Sequence, residues 1–452
     1  MSRADSTALS RRHFVMGAAL LPAGIRAAGQ RRPGPNQRIT FAGIGVGGMG
    51  GNDVDAVVAE GAQLIALCDV DPKYAAKKLE QYPDAQRFKD YRVMLETLGD
   101  KVDAVVIGTP DHTHAVIAME AMRRGKHVYC EKPLAHTIGE VRALMAASRK
   151  PGLVTQLGNQ GHSADTIRRT CEWIWAGAIG TPHTVHAACG EFKEVYCQIR
   201  NLDKVNQRYD VPPELDYELW VGPAEYHPYT PLWVHWNWRG WLPYGTGTIG
   251  DWICHVVDPA FWALDLGAPA TVKAEVSDYD PKVHGLTYPP ATRVTFQFPG
   301  NGKRGPITLV WHDGNNPLPT PPDLPKDDQV PRTGAVILGD KGMIVHGSHG
   351  AGGCHLQPDS VREQFSGDRT PEPKIPRVKN HHWDWLDAIR TGRQAGSNFD
   401  YGGRLTQIAL LGAIAIRFPG ETLRWDDAAA RFTNLPEANA FVDPPYRQRW
   451  KL

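Results

Sequence analysis

The sequence predicts a two-domain chain: an α/β half whose parallel strands alternate with helices, then an α+β half built on antiparallel strands. Three observations predict this. An apolar strand pattern runs into a glycine turn, Gly45-x-Gly47-x-x-Gly50, and on into a helix. Strand-like runs then alternate with helical periodicity as far as Asn159. Beyond it, strand-like segments follow one another across proline- and glycine-rich loops. At 452 residues the chain is long for one domain, since domains usually take about 150 residues. The expected division is a leader over 1–37, a dinucleotide-binding domain over 38–155 and a substrate domain over 156–452.

Lysine plus arginine number 50 and aspartate plus glutamate 49, so no charge excess points to nucleic acid or a membrane surface. Ser10-Arg11-Arg12-His13-Phe14-Val15 has the form of a twin-arginine export motif, followed by the apolar stretch VMGAALLPAGI. That stretch is too short to span a bilayer, which takes about 20 apolar residues. Ala27, Ala28 and Gly29 would form the cleavage zone, and RRPGPNQ a flexible lead into the mature chain. Export by this route carries folded proteins, so a periplasmic or otherwise exported location is expected, with any bound ligand carried along. A cytoplasmic N-terminus with a chance Arg-Arg is the alternative. Seven cysteines, an odd number without Cys-x-x-Cys spacing, argue against a disulfide framework.

In the first half each glycine of the turn has a physical task. Gly45 permits the tight turn, Gly47 lets the backbone approach a pyrophosphate, and Gly50 lets helix pack on strand. Val46, Gly48 and Met49 complete this candidate cofactor cradle, whose helix N-terminus faces the phosphates. A second strand ends at Asp69, 19 residues after Gly50. A carboxylate there accepts hydrogen bonds from an adenosine ribose and repels a 2′-phosphate, favouring NAD over NADP unless a nearby arginine or lysine reverses the preference. Next come a buried strand (104–107), a turn at Gly108-Thr109-Pro110 and a helix expected from near His114. Thr109, Pro110, His112 and His114 read as lining the cofactor cleft, with helix capping as the other reading of the histidines. No metal site is expected, because no further ligand cluster lies near them.

The run Lys126-His127-Val128-Tyr129-Cys130 then reads as a strand stopped at Glu131-Lys132-Pro133, because proline cannot donate to a ladder. Lys132 thus sits where a parallel strand ends, the edge at which open α/β folds bind ligands. Its ammonium can touch a nicotinamide and a substrate together. A solvated turn lysine is the bland alternative. A helix (Ile138 to Ser148) and the strand GLVTQLGN follow, ending at Asn159, another candidate cofactor contact.

The second half offers strands over 183–188, 272–278, 293–298, 307–311, 335–338 and 343–346. Its chemistry lies in YGTGTIGDWICHVVDP, where Asp251 and His255 stand four apart on a helix opening after Gly245 and Gly247. A histidine can accept an alcohol proton while a carboxylate orients its ring and stabilises its charged form. Asp258, one turn further, reads as a helix-surface charge, with a helper to this pair as the other reading. Upstream, Trp236, Trp238, Arg239 and Trp241 suit either a sugar ring or a core. Blocks at 381–393 and 404–417 read as structural helices of this domain, from which His381 and His382 could reach the cleft. The proline-rich stretch 315–331 reads as an exposed loop.

Taken in order, Gly45-x-Gly47-x-x-Gly50, Asp69, Thr109-Pro110-x-His112-x-His114 and Glu131-Lys132-Pro133 resemble the Gfo/Idh/MocA family, over about residues 38 to 450. The resemblance implies a Rossmann N-terminal domain and an α+β C-terminal domain with a large open antiparallel sheet. It also implies a nicotinamide cofactor between the domains and a homo-oligomer. By resemblance Glu131 belongs to the cofactor site, Lys132 is hydrogen-bonded to the reacting hydroxyl, and Asp251 and His255 supply substrate contact and the general acid/base. The implied activity is NAD(P)-dependent oxidation of a sugar, cyclic polyol or glycoside by hydride transfer to a tightly bound nicotinamide, with Trp236, Trp238 and Arg239 on the substrate. The alternative is redox-neutral glycoside hydrolysis by transient oxidation. A non-catalytic sugar- or nucleotide-binding protein is the reading from another class.

Overall fold

The computed structural model describes residues 38–191, 193–324 and 329–452, all within one compact unit. The leader and its export motif lie outside the described residues.

Six parallel strands form the first sheet: β1 (Thr40–Ile44), β2 (Gln63–Cys68), β3 (Gln86–Phe88), β4 (Ala104–Ile107), β5 (His127–Cys130) and β6 (Thr155–Leu157). Their order is β3-β2-β1-β4-β5-β6, so the chain reverses direction across the sheet between β1 and β4. β1, β4 and β5 are apolar and almost wholly buried, as strands covered on both faces must be. The switch between β1 and β4 opens a crevice at the carboxyl ends of the strands.

The second sheet has nine strands: β7 (Pro182–Cys189), β8 (Thr271–Ser277), β9 (Ala291–Phe298), β10 (Ile307–Asp313), β11 (Thr333–Gly339), β12 (Met343–Gly347), β13 (His355–Gln357), β14 (Thr422–Asp426) and β15 (Arg431–Phe432). All pair antiparallel except β7 with β10, so the sheet is mixed. Lys273, Glu275, Arg293 and Gln297 alternate along β8 and β9 with the buried Val272, Ala274, Val294 and Phe296. One face is therefore core and the other polar. The short β3, β13, β14 and β15 carry too little apolar periodicity to be read from sequence.

The two late helices serve more than the second domain. From His381–Thr391, Trp385, Leu386, Ala388 and Ile389 enter the same buried cluster as Phe41, Val54 and Tyr129 of the first sheet and its first helix. Asn380 caps this helix, accepting from the Trp383 amide. Phe399–Ala415 packs between Ile138–Ser148, Gly247–Val256 and β8. Gly403 and Gly412 make this possible, because a Cβ there would meet Met145 and Ile249 at 2.6 and 2.4 Å.

Candidate active site

Lys132 lies two residues beyond the end of β5 and points across the crevice. Its ammonium donates to Asp251 Oδ1, on a helix of the second half (Gly247–Val256). That helix starts where it does because Gly247 adopts φ +67, with the Tyr288 ring 2.7 Å from where a Cβ would be. Thr246, before it, donates through its amide and hydroxyl to Asp111 Oδ2 at 3.1 and 2.7 Å, tying the helix to the first residue of Asp111–Arg123. The end of β5 and this helix thus present Lys132 and Asp251 to each other, with a second carboxylate, Asp111, fixing the helix start.

Asp251 Oδ2 accepts from the Tyr196 hydroxyl and from Arg239 Nε at 3.2 Å. The guanidinium lies between two indoles, 3.9 Å from the Trp236 ring centroid and 4.2 Å from that of Trp238. Burial would raise the Asp251 pKa, but the Lys132 and Arg239 cations outweigh it and hold the carboxyl well below the usual range. Burial likewise opposes the Lys132 charge, yet the Asp251 carboxylate pushes its pKa up. The pair is therefore an ammonium and a carboxylate. For Asp111, burial and the nearby Asp251 charge raise the pKa to about 7. A Tyr196→Phe variant is expected to lower turnover about tenfold by removing one hydrogen bond to a charged group. Its thermal unfolding should stay close to that of the parent, and unchanged kinetics would exclude this role.

His255 does not take Asp251 as its partner, contrary to the helical-spacing expectation. The carboxylate is turned toward Lys132, Tyr196 and Arg239, and His255 Nδ1 is buried without a hydrogen-bond partner. The ring stacks instead on His349, with centroids 4.1 Å apart and planes at 20°. Burial first, then the Lys132 charge, pull its pKa well below 6.5, so the ring is neutral. His349 comes from the turn after β12, where its backbone N–H donates to the His255 carbonyl at 3.0 Å. No spacing signal in the sequence marks it.

A cavity of about 590 Å3 connects this centre to the glycine turn, lined by Gly45, Gly47, Gly48, Met49, Asp69, Thr109, Pro110 and Glu131 beside Lys132, Trp236, Trp238, Arg239, Asp251 and His255. These residues fit a dinucleotide. Gly45 holds φ +75 with the Thr109 amide 2.6 Å from where a Cβ would stand, and Thr109 Oγ1 is buried without a partner. Val46 turns its side chain into the core, and Gly50 packs on Gly108. Asp69 is tied into the turn. Its Oδ2 accepts from the Val46 and Gly47 amides at 2.8 and 3.1 Å, and Oδ1 from the Asp71 amide at 3.0 Å. A segment of the second half closes over this end: His235 Nε2 is 2.6 Å from Asp71 Oδ2, and its ring stacks on Tyr74 at 3.9 Å.

Several expected contacts lie elsewhere. The helix begins at Asp111 rather than near His114, so both histidines fall inside it and are buried away from the cavity. The His112 ring nitrogens meet the Tyr244 and Trp220 carbonyls at 3.1 and 2.8 Å, and those of His114 the Pro133 and Thr109 carbonyls at 2.8 Å. Burial lowers their pKa values to about 3 and about 4, so each ring is neutral and donates to one of its two carbonyls. Asn159 faces away too, donating to Asp258 Oδ2 at 3.0 Å and accepting from Ser397 Oγ at 2.6 Å. Asp258 is not a surface charge but is buried against His162, Tyr401 and Asn159. Trp241 is core. Neither His381 nor His382 lines the cavity; His381 meets the Leu157 carbonyl and Ser163, and His382 meets Asp53.

The Gfo/Idh/MocA family profile for an oxidoreductase NAD-binding Rossmann fold matches residues 39–159, and that for the family's C-terminal alpha/beta domain matches 165–300. Together they cover more than half of the chain. Inositol 2-dehydrogenase of Rubrobacter xylanophilus is 33% identical over 152 residues, 33% of this chain and 43% of that protein. The matched segment therefore spans less than half of that relative. Aldose-aldose oxidoreductase from Caulobacter crescentus, complexed with glycerol, superposes with TM-score 0.55 at 19% identity over 86% of this chain and all of that one. A levoglucosan dehydrogenase complexed with NADH and levoglucosan does so with TM-score 0.54 at 20% identity, over 86% and 99%. At these identities the structures speak for the fold. With the glycine turn, Asp69 and the Glu-Lys-Pro lysine all at one cavity, the chain belongs to the Gfo/Idh/MocA oxidoreductase family.

Proposed function

We propose that the protein is an NAD(P)-dependent oxidoreductase that oxidises a CH–OH group of a sugar, cyclic polyol or glycoside with a tightly held nicotinamide. The observation that carries this is the Lys132–Asp251 ion pair beside a neutral His255, at the end of the cavity away from Asp69. When bound, the cofactor supplies a hydride acceptor. Lys132 donates to the reacting hydroxyl and stabilises the negative charge that develops on it. Asp251, itself fixed by Tyr196 and Arg239, holds the ammonium in place. His255, a neutral ring that lines the cavity, is the acceptor for the hydroxyl proton. Arg239 offers a cation and the exposed Trp236 an indole, a surface suited to a ring with apolar faces and hydroxyl edges, whereas Trp238 is buried behind the guanidinium.

Cofactor retention is supported by the covering segment. Besides the His235–Asp71–Tyr74 clasp, the Asp216 amide donates to the Val70 carbonyl at 2.9 Å and Lys73 pairs with Glu214 at 2.7 Å. The loop after Asp69 is thus held from the second half at three points. Retention agrees with export through the twin-arginine route to the periplasm, since an exported enzyme must keep its nucleotide.

Protein purified without added nucleotide is expected to release NAD or NADP stoichiometrically on denaturation, read by absorbance and mass. An empty protein that binds NAD weakly would overturn retention. Turnover is then sought with single polyols and with paired sugars. Release of an aglycone with no net change in the nicotinamide would favour transient oxidation instead. The His255 ring resonances, followed by NMR, should show no titration at the ordinary imidazole value of 6.5, because His255 stays neutral through that range. A clear titration of that ring would remove it as the proton acceptor.

A further inference from the structure

Behind Lys132 lies a second set of ionisable groups that the reading above does not use. Asp53, on the first helix (Met49–Ala59), is fully buried; Glu131 is buried beside it and lines the cavity. The two carboxyls share one donor, Gln160 Nε2, and two like charges held this near each other out of water are relieved by a proton on one of them. Three donors converge on Asp53 Oδ1: His382 Nε2 at 3.0 Å, Gln160 Nε2 at 3.4 Å and the Tyr129 hydroxyl at 3.5 Å. Oδ2 has no partner among the ordinary donors. A proton carried by Glu131 is the group that can satisfy it. Glu131 in turn accepts from Gln160 Nε2 at 2.7 Å and from the Lys132 amide at 3.3 Å.

The donors are arranged asymmetrically. Those on Asp53 favour its ionised form, leaving the proton to Glu131. Burial pushes both carboxyls up, Glu131 furthest because it also faces the Asp53 charge. His382 stacks on Tyr129, is 11% exposed, and faces Glu60, whose carboxylate is paired with Lys379. It is the link from the buried pair toward solvent.

We propose that Glu131 and Asp53 share one proton, held on Glu131 by the donors gathered around Asp53, and that this neutral Glu131 positions Lys132 by leaving Asp251 as its nearest full counter-charge. Glu131 and Asp53 are thus positioning residues that act through Lys132. Ionising Glu131 would set a second carboxylate beside the ammonium, drawing it back toward the first sheet and away from the hydroxyl. The inference rests on the proposed role of Lys132, so its test reads Lys132 without turnover.

Two variants fix the two states in the full chain. Glu131→Gln keeps a donor toward Asp53 and imitates the protonated acid. Asp53→Asn turns a donor toward Glu131 and favours its carboxylate. The readout is the pH midpoint of Lys132 acylation by acetic anhydride, followed by peptide mass spectrometry. The midpoint is expected to lie at least about one pH unit higher in Asp53→Asn than in Glu131→Gln, as an adjacent opposite charge requires. The parent, with the proton on Glu131, should lie close to Glu131→Gln. Should Asp53→Asn fail to fold, that second comparison carries the test. A parent midpoint at least about one pH unit above Glu131→Gln would show an ionised Glu131 and overturn the proposal. Where a substrate is in hand, Asp53→Asn should lose at least about tenfold of the neutral-pH turnover. Separated midpoints without any turnover would leave the shared proton standing and strike the proposed reaction alone.

Discussion

Lys132→Met should lower kcat/KM by about a thousandfold or more, within the range that a positioned proton donor or charge stabiliser contributes. Methionine keeps most of the side-chain length and fills the same space, so the loss isolates the ammonium. Without it, Asp251 retains only Arg239 and Tyr196 as partners. The bound nucleotide should survive, because the cradle at Gly45, Gly47 and Asp69 lies along the cavity from Lys132. Single-turnover reduction followed by nicotinamide absorbance, on protein shown to carry its nucleotide, is the measurement. Turnover within tenfold of the parent would remove Lys132 from the chemistry. A protein that had lost its nucleotide would move Lys132 to the binding site.

Gly50→Ala is expected to be the most damaging single methyl group in the first domain. Its Cβ would stand 2.3 Å from the Gly45 carbonyl oxygen and 2.9 Å from Gly108 Cα. Both obstacles are backbone and cannot rotate away, so strand and helix must separate or the turn must deform. A cost of at least about 3 kcal/mol follows, at the upper end for overpacked sites. Gly61→Ala is the control. That residue has φ +90 with nothing within 4 Å, so only backbone strain applies, about 1 kcal/mol. Chemical denaturation of both variants separates the contributions. Equal losses would mean that the close approach of helix to strand is not what requires Gly50. The loss at Gly50 should also empty the cofactor site, since Gly45 is one of the groups displaced.

The sequence alone determined much of the parallel sheet, because its signals are local. A strand, a glycine turn and a helix within about twenty residues leave one arrangement open, and the proline after Lys132 ends its strand wherever the sheet lies. The antiparallel segments were legible for a similar reason: β8 and β9 alternate buried and exposed residues at the period of a one-sided sheet. The parallel pairing of β7 with β10 was not legible, since neighbours in that sheet are far apart in the chain.

The partners of the site side chains were decided only by tertiary structure. Helical spacing put Asp251 and His255 on one face and suggested that they pair. The carboxylate goes to Lys132, 119 residues away, because a nearby cation offers it more than a neutral ring does. Likewise Asp111 passed as an unremarked residue between Pro110 and His112, and His112 and His114 read as cleft residues. The helix register turns the histidines inward against carbonyls and leaves Asp111 at the helix start, within reach of Thr246. Tyr196, His235, His349 and the Asp53–Glu131 pair carry no spacing signal. Each acquires its place when a distant segment closes over the first sheet. Residue types and local turns are written along the chain, but burial and charge pairing exist only once the chain has folded back on itself.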